Sequence, residues 1–345
     1  MRVSVVGGAG YVGGELVRYL LGHPGLELAQ VTSSSLPGRP VTMVHPNLRG
    51  FTSMRFVAPD QLRPCDAVVV AGGEGPAQVP SLSELRAVAP LVVDCGPRLR
   101  LRDPDAFRAW YRSEPEPPEV LQEAVYGLPE LGRAEILGSS LVSGVGCSAA
   151  AAILALLPVA RAGWKLTAPA CVEARFGSSA AGSRPDLSTH HPERSGALRV
   201  FAPDHHRHAA EVAQALGWEA SRLSYAGMGV EMVRGISVSI RCFLADPVPE
   251  KDLWDAFRST YRDEPFVRVV AQRAGLHRHP DPRWLAGTNL CDVGFWLDRS
   301  GLRLSLFAAL DNLGKGSAGN AVQALNCALG MDERLGLTFM GLHPL

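Results

Sequence analysis

The chain has 345 residues, 46% of them hydrophobic, and a formal net charge of +0. That length supports two domains with sizeable cores, and the charge balance supplies no global field to favour nucleic acid or an anionic membrane. Seven scattered cysteines without a C-x-x-C pair exclude a disulfide framework or a zinc ribbon.

RVSVVG, at the N-terminus with no basic leader before it, predicts a buried strand. YVGGELVRYLLGH predicts a helix with Leu16, Tyr19 and Leu20 on one face. Between them Gly7, Gly10 and Gly13 spell G-x-x-G-x-x-G, with Tyr11 and Val12 in the same turn. The first glycine permits a tight turn, and the next lets a diphosphate approach the backbone where helix amides favour anions. A merely structural glycine turn is the alternative.

LELAQVTS predicts the second strand, and its end bears on the cofactor. NAD sites carry Asp or Glu there for the ribose hydroxyls. Here Val31-Thr32 leads to Ser33, Ser34 and Ser35, followed by Arg39. No acid repels a 2′-phosphate, and hydroxyls with a guanidinium can bind one, so NADP is expected. A solvated serine-rich turn is the competing reading. CDAVVVAG and PLVVDCG add two buried strands with the helix SLSELRAVA between them, the βαβ pattern of a parallel sheet.

From about Trp164 the strands lengthen and several alternate: APACVEARF, RGISVSIRCFLAD, NLCDVGFWLD and LRLSLFAALDN. Alternation of this kind suits an antiparallel sheet with one covered face. Helices are predicted at HRHAAEVAQALG and EKDLWDAFRSTYR, and PDLSTHHPERSGALR reads as a long polar loop. GNAVQALNCALGM predicts a helix that returns to the first domain. The expected fold class is therefore α/β: a Rossmann-type NADP-binding domain over 1–146 plus 312–345, and an α+β domain with a mixed or antiparallel sheet over 147–311. The longest apolar run, Ala149 to Leu157, is shorter than the ~20 residues that a bilayer requires. A cytoplasmic protein with no membrane or nucleic-acid partner is expected.

The six tyrosines and three lysines form no Tyr-x-x-x-Lys pair, which removes one large class of dinucleotide enzymes. SGVGCSAAAAILALL carries Cys147 behind Gly144 and Gly146, at the mouth of a helix. Ser148 is expected as its N-cap or first residue. A thiol at a helix N-terminus is acidified, and the neighbouring amides can stabilise an oxyanion. The other six cysteines read as structural. HHRHAAEVAQAL offers His205, His206 and His208 as candidate bases; spacing does not choose among them. With His190 and His191 they could form a metal site, but no carboxylate or cysteine set completes one, so no metal is expected.

GGAGYVG, YGLPE (126–130), Gly146-Cys147, the H-R-H at 206–208 and DNLGKGSAGNAVQALN (311–326) occur in this order. In that order they resemble N-acetyl-glutamyl-phosphate reductases and their lysine-biosynthesis relatives, and more distantly aspartate-semialdehyde dehydrogenases. Around the cysteine the arginine-pathway enzymes usually show Pro-Gly-Cys-Tyr-Pro-Thr, whereas this chain has Val-Gly-Cys-Ser-Ala-Ala. It is more similar to the lysine branch, as are VHPNLRG (44–50), HHPERSGALRVFAP (190–203) and PDPRWLAGTN (280–289).

That resemblance implies a semialdehyde-dehydrogenase-like fold. It also implies NADPH-dependent reduction of 2-aminoadipate 6-phosphate carried on the amino-group carrier protein LysW. Cys147 would be the nucleophile and His208 the acid/base, with His206 contacting substrate. Ser178, Ser179 and Arg184 would meet the phosphate, Arg207 or Arg199 a carboxylate, and Asn312, Gly314 and Gly316 the cofactor. GSSAAGSRP (177–185) departs from the glycine-richer turn of the relatives. The partner would be a small acidic protein, met by arginines such as Arg98, Arg100, Arg102 and Arg194. The assembly would be a homodimer or homotetramer. Reduction of free N-acetylglutamyl phosphate, the carrier-linked glutamyl version, and a non-catalytic NADP sensor are the alternatives.

Overall fold

Arg2–Val6 forms strand β1, in which Val3, Val5 and Val6 are fully buried. A strand covered on both faces reads as a continuous apolar run and belongs inside a parallel sheet. The structure, a computed structural model, describes residues 1–72 and 79–344. β1 lies in a six-stranded sheet with β2 (Glu27–Val31), β3 (Ala67–Val70), β4 (Leu91–Asp94), β5 (Val125–Tyr126) and β6 (Leu141–Ser143). The order is β2-β1-β3-β4-β6-β5, and every pair is parallel.

The helices that follow these strands are α1 (Tyr11–Leu21), α2 (Val41–Val44), α3 (Leu82–Val88), α4 (Pro104–Tyr111), α5 (Pro118–Glu123) and α6 (Pro129–Ile136). α1 buries Leu16, Tyr19 and Leu20, the face its periodicity predicts. α3 starts at a capping box, in which Ser81 and Glu84 each satisfy the other's backbone N–H.

The second sheet has seven strands: β7 (Ala170–Phe176), β8 (Leu198–Ala202), β9 (Leu223–Val230), β10 (Ile236–Phe243), β11 (Val267–Val269), β12 (Cys291–Leu297) and β13 (Arg303–Leu310). Its order is β11-β12-β13-β10-β7-β9-β8. It is mixed, because β7 with β9 and β11 with β12 run parallel while the other pairs are antiparallel. In β10, Ile236, Val238, Ile240 and Cys242 are buried and the intervening residues are not, so one face is covered. α7 (Cys147–Arg161) packs on that sheet with α9 (His208–Leu216) and α10 (Glu250–Tyr261) against it. The predicted polar loop carries a short helix, α8 (His191–Arg194), and runs into β8.

The apolar run stops at Leu157 with Pro158 next, yet α7 continues to Arg161. Proline removes the N–H that would bond Leu154 O four residues back. The Tyr261 hydroxyl donates to that carbonyl instead, so the break is repaired from α10. β5, β6, β8, β9 and β11 go unpredicted. β9 contains Gly227 and Gly229, which depress strand propensity. A Cβ at Gly227 would stand 2.8 Å from the Phe201 ring, and one at Gly229 would meet the far end of the Arg194 side chain.

Two compact units result, one of Met1–Arg108, Ser113–Val145 and Ser317–Thr338, the other of Ala109–Arg112, Gly146–Gly316 and the chain from Phe339. The sequence predicts that all of 312–345 joins the first domain. Instead residues 312–316 and the chain from Phe339 join the second unit, where the Phe339 ring lies against Gly287. Within the first unit, the tail helix α11 (Gly319–Ala328) is tied down by fully buried amides. Asn320 donates to Gly127 O, Gln323 to Glu130 and Glu333, and Asn326 pairs with His23 at 3.0 Å. These bonds explain why the tail motif is so polar inside a core. Among the described residues, no helix is long and apolar enough to cross a membrane.

Candidate active site

Cys147 is the first residue of α7, and Gly146 is the N-cap with extended backbone (φ −72, ψ 134) and no side chain to cap the helix. Ser148 is therefore neither N-cap nor first residue, contrary to the sequence expectation. The Gly146 amide donates to Glu211 Oε1 at 2.6 Å. A Cβ at position 146 would lie 2.5 Å from Glu211 Oε2 and 2.6 Å from His208 Nε2. Only glycine fits, and a carboxylate oxygen and an imidazole nitrogen converge on the space in front of it. A Cβ on Gly316 would stand 2.8 Å from the Cys147 Cβ, so a second glycine clears the thiol's flank.

His208 opens α9, almost wholly buried. Its Nδ1 is 2.6 Å from Ser148 Oγ, and that hydroxyl is 2.8 Å from the Tyr225 hydroxyl, which also lies 3.2 Å from Ser148 O. Burial pushes the Tyr225 phenol up, and the Cys147 and Glu211 charges add to this against its hydrogen bond with Ser148. His206 Nδ1 accepts from the His208 backbone amide at 3.2 Å, and its ring stacks on Tyr225. Desolvation, with the Arg207 charge beside it, pulls His206 down to about 4. His206 is thus a neutral imidazole whose Nδ1 is an acceptor, leaving Nε2 to donate. Phe176 packs beside both rings. The third histidine, His205, stacks on Trp110 at 3.9 Å.

The other predicted substrate residues, and the predicted cofactor residues Asn312, Gly314 and Gly316, lie in the same unit. Ser179 is buried and donates to Val233 O at 2.7 Å; its hydroxyl accepts from Asn312 Nδ2 at 2.9 Å. The amides of Ser178 and Ser179 donate to Met232 O and Val233 O. This turn spends the Ser179 hydroxyl and both amides on the fold. Asn312 Oδ1 accepts from the Gly235 amide at 2.7 Å, so its side chain is a strut. Arg184 and Arg207 are exposed, and the Arg207 guanidinium sits 5.8 Å from the Tyr111 ring centroid. Arg199 Nη2 donates to Glu193 O at 2.8 Å. A Cβ at Gly314 would strike Thr288 O, so Gly314 and Gly316 are already demanded by packing within this unit.

The glycine turn and the end of β2, expected to hold the dinucleotide, lie in the first unit, whereas Asn312, Gly314 and Gly316, also expected beside the cofactor, lie in the second. Gly7 has φ +78, the left-handed turn that glycine allows, and its amide donates to Thr32 Oγ1 at 3.2 Å. A Cβ at Gly13 would stand 2.5 Å from Gly8 Cα, so helix and turn are in van der Waals contact there. At Gly10, the N-cap of α1, the nearest atom is 3.9 Å away and no side chain caps the helix. The open side of this turn therefore presents uncapped amides, which fits a diphosphate. Tyr11 is exposed and Val12 half-buried. Ser33 is buried and its hydroxyl accepts from the Leu36 amide, whereas Ser34, Ser35 and Arg39 are exposed. Among the described residues Arg39 makes no ion pair.

The arginines expected on a partner-binding surface divide sharply. Arg98 pairs with the buried Asp94, and Arg100 is buried and donates to Cys95 O. Arg194 donates to Phe176 O at 2.7 Å. These three hold the fold together, which corrects the expectation; Arg102 remains exposed, 3.8 Å from Glu135. Burial pushes the thiols of Cys95 and Cys242 up to about 12, as inert core thiols should be, while Cys171 is exposed on the sheet. Among the described residues no cluster suits a metal ion. Glu211 and Tyr225 escape prediction. His208 and Glu211, three apart on one helix, are the available signal for the first.

Two family models match the chain: the semialdehyde dehydrogenase NAD binding domain over residues 2–139 and the semialdehyde dehydrogenase dimerisation domain over 147–312. A Deinococcus radiodurans protein, the LysW-L-2-aminoadipate 6-phosphate reductase, is 45% identical, covering 99% of this chain and 98% of its own. A Thermomicrobium roseum protein, provisionally assigned the same reductase name, is 46% identical over 100% of this chain and 99% of its own. Aspartate semialdehyde dehydrogenase II of Vibrio cholerae superposes with a TM-score of 0.69 at 16% identity, covering 94% of this chain and 97% of that one, a likeness of fold.

Proposed function

The chain belongs to the semialdehyde dehydrogenase family, and on that premise we propose that it reduces LysW-linked 2-aminoadipate 6-phosphate to the semialdehyde, using NADPH and releasing phosphate, in lysine biosynthesis. Cys147 thiolate attacks the acyl carbon, the C–O bond to phosphate breaks, and a thioester forms on the enzyme. NADPH, when bound, supplies the hydride that converts this thioester to a thiohemiacetal. His208 then takes the hydroxyl proton as the C–S bond breaks, giving the aldehyde and restoring the thiolate. His206, neutral with Nδ1 already used as an acceptor, offers Nε2–H to a substrate oxygen.

The observation that carries this reading is Ser148, hydrogen-bonded to His208 where the arginine-branch enzymes resembled by this chain have tyrosine. The carrier is a small acidic protein, and exposed arginines such as Arg102 and Arg207 supply complementary charge, so binding weakens with salt. The second unit, matching the family's dimerisation domain, forms the homodimer or homotetramer contact in a cytoplasmic enzyme.

The test runs the reaction backwards with phosphate present. NADPH formation is followed with carrier-linked aminoadipate semialdehyde and with free N-acetylglutamate semialdehyde. Turnover of the carrier-linked substrate is expected; turnover of the free acetylated one alone overturns the proposal.

A further inference from the structure

VHPNLRG (44–50) carries a buried histidine that the proposed reaction does not use. His45 is the C-cap of α2, and its backbone is held on both sides: its amide donates to Val41 O at 3.0 Å, and its carbonyl accepts from the Leu48 amide at 3.1 Å. From that fixed base its Nε2 lies 2.8 Å from Gly8 O, in the turn between β1 and α1. A carbonyl oxygen only accepts, so Nε2 carries the proton and donates it. The Nδ1–Cε1 edge of the same ring lies against α1, because a Cβ at Gly14 would stand 2.5 Å from both atoms. Gly14 falls outside G-x-x-G-x-x-G, and the His45 ring is what demands a glycine there.

The bond to Gly8 bears on the turn's amides. The Gly8 amide already donates to Thr32 O at 2.8 Å, but glycine leaves the following peptide wide rotational freedom. The Gly8–Ala9 peptide is planar and trans, so a carbonyl turned toward His45 turns the Ala9 N–H the opposite way. Rotated by half a turn, that peptide would present a carbonyl oxygen to an anion in place of an amide. The geometry points to His45 as a positioning residue for the dinucleotide, one that locks the Gly8–Ala9 peptide with its carbonyl inward and so aims the Ala9 amide at the diphosphate. The inference rests on the reading that this glycine turn holds the diphosphate, and adds what sets the turn's orientation.

The experiment titrates the full-length protein with NADPH and with NADH, and follows kcat and KM alongside. His45→Ala should raise Kd about tenfold, the worth of one hydrogen bond, and do so equally for both dinucleotides because the diphosphate is common to them. The kcat at saturating NADPH should stay within about twofold of wild type, as for a loss of uniform binding. His45→Gln, whose amide nitrogen can reach Gly8 O, should restore most of the affinity. Gly14→Ala should weaken binding in the wild-type background, by pushing the ring off Gly8, and add nothing in His45→Ala, where the methyl has room. Should His45→Ala fail to fold, His45→Asn, polar but too short to reach Gly8 O, takes its place against His45→Gln. Wild-type affinity without the imidazole, no rescue by glutamine, or an equal Gly14→Ala penalty in both backgrounds overturns the inference. If the wild-type protein binds neither dinucleotide, the reading of the glycine turn itself has failed.

Discussion

Glu211 Oε1 accepts a 2.6 Å hydrogen bond from the Gly146 amide, one residue before Cys147. A buried carboxylate thus fixes the backbone on which the thiol is mounted, and His208, one helical turn away on α9, is fixed with it. The site is a rigid corner between α7 and α9. Gly146→Ala tests it: the new methyl would meet Glu211 and His208 at 2.5–2.8 Å. Overpacking of this kind costs roughly 1–3 kcal/mol. We expect a lowered denaturation midpoint and a much larger loss of kcat than of NADPH affinity; a variant with both unchanged refutes the corner.

Cys147→Ser should abolish aldehyde formation and leave NADPH binding intact, because the thiol and the glycine turn of β1 and α1 lie in different units. Equilibrium titration of the dinucleotide alongside turnover checks both halves. Detectable wild-type turnover would remove the thiol from its role.

His208→Asn should lower kcat by about 10²–10⁴, the scale of a positioned acid/base. His206→Asn should act chiefly on substrate KM. Parallel steady-state kinetics decide the matter, and a larger kcat loss at His206 would exchange the two roles.

Much of this fold and site is legible in the sequence. The valine-rich strands and the glycine trio near the N-terminus mark a dinucleotide fold because buried parallel strands leave a continuous apolar record. Cys147 is visible because glycines before a helix have few other uses. Three things are not. Long-range hydrogen bonds such as Tyr225 to Ser148 have no spacing signature, since the residues are 77 apart. Arg98 and Arg100 look like surface charges because nothing local reveals that Asp94 and Cys95 O are buried beside them. β9 is hidden by glycines that lie against Phe201 and Arg194.

The buried His206 makes stability pH-dependent. Its folded pKa, about 4, lies below the ordinary 6.5, so the unfolded chain binds the proton more readily. The stabilisation is complete above pH 6.5 and is lost as pH falls through 4. The full effect is up to about 3 kcal/mol. His206→Gln keeps an acceptor for the His208 amide and removes the titration. Urea denaturation at pH 7 and pH 4.5 should show a smaller acid penalty in the variant than in wild type; equal penalties would mean that the ring is not held neutral.

Cofactor choice rests on the turn after β2. Ser34, Ser35 and Arg39 are exposed there, no acid stands at the strand end, and Arg39 makes no ion pair among the described residues. A guanidinium without a competing carboxylate suits a 2′-phosphate. A hydrogen bond to a charged group contributes about 1.5–3 kcal/mol, so Arg39→Ala should raise KM for NADPH by about 10-fold to 100-fold and leave NADH kinetics nearly unchanged. Ser34→Asp should go further and favour NADH, because the new carboxylate repels the phosphate and can hold the ribose hydroxyls. Steady-state kinetics with both dinucleotides check each variant. Equal loss with NADH and NADPH in Arg39→Ala would place the guanidinium away from the 2′ position and leave the preference to other groups in the turn.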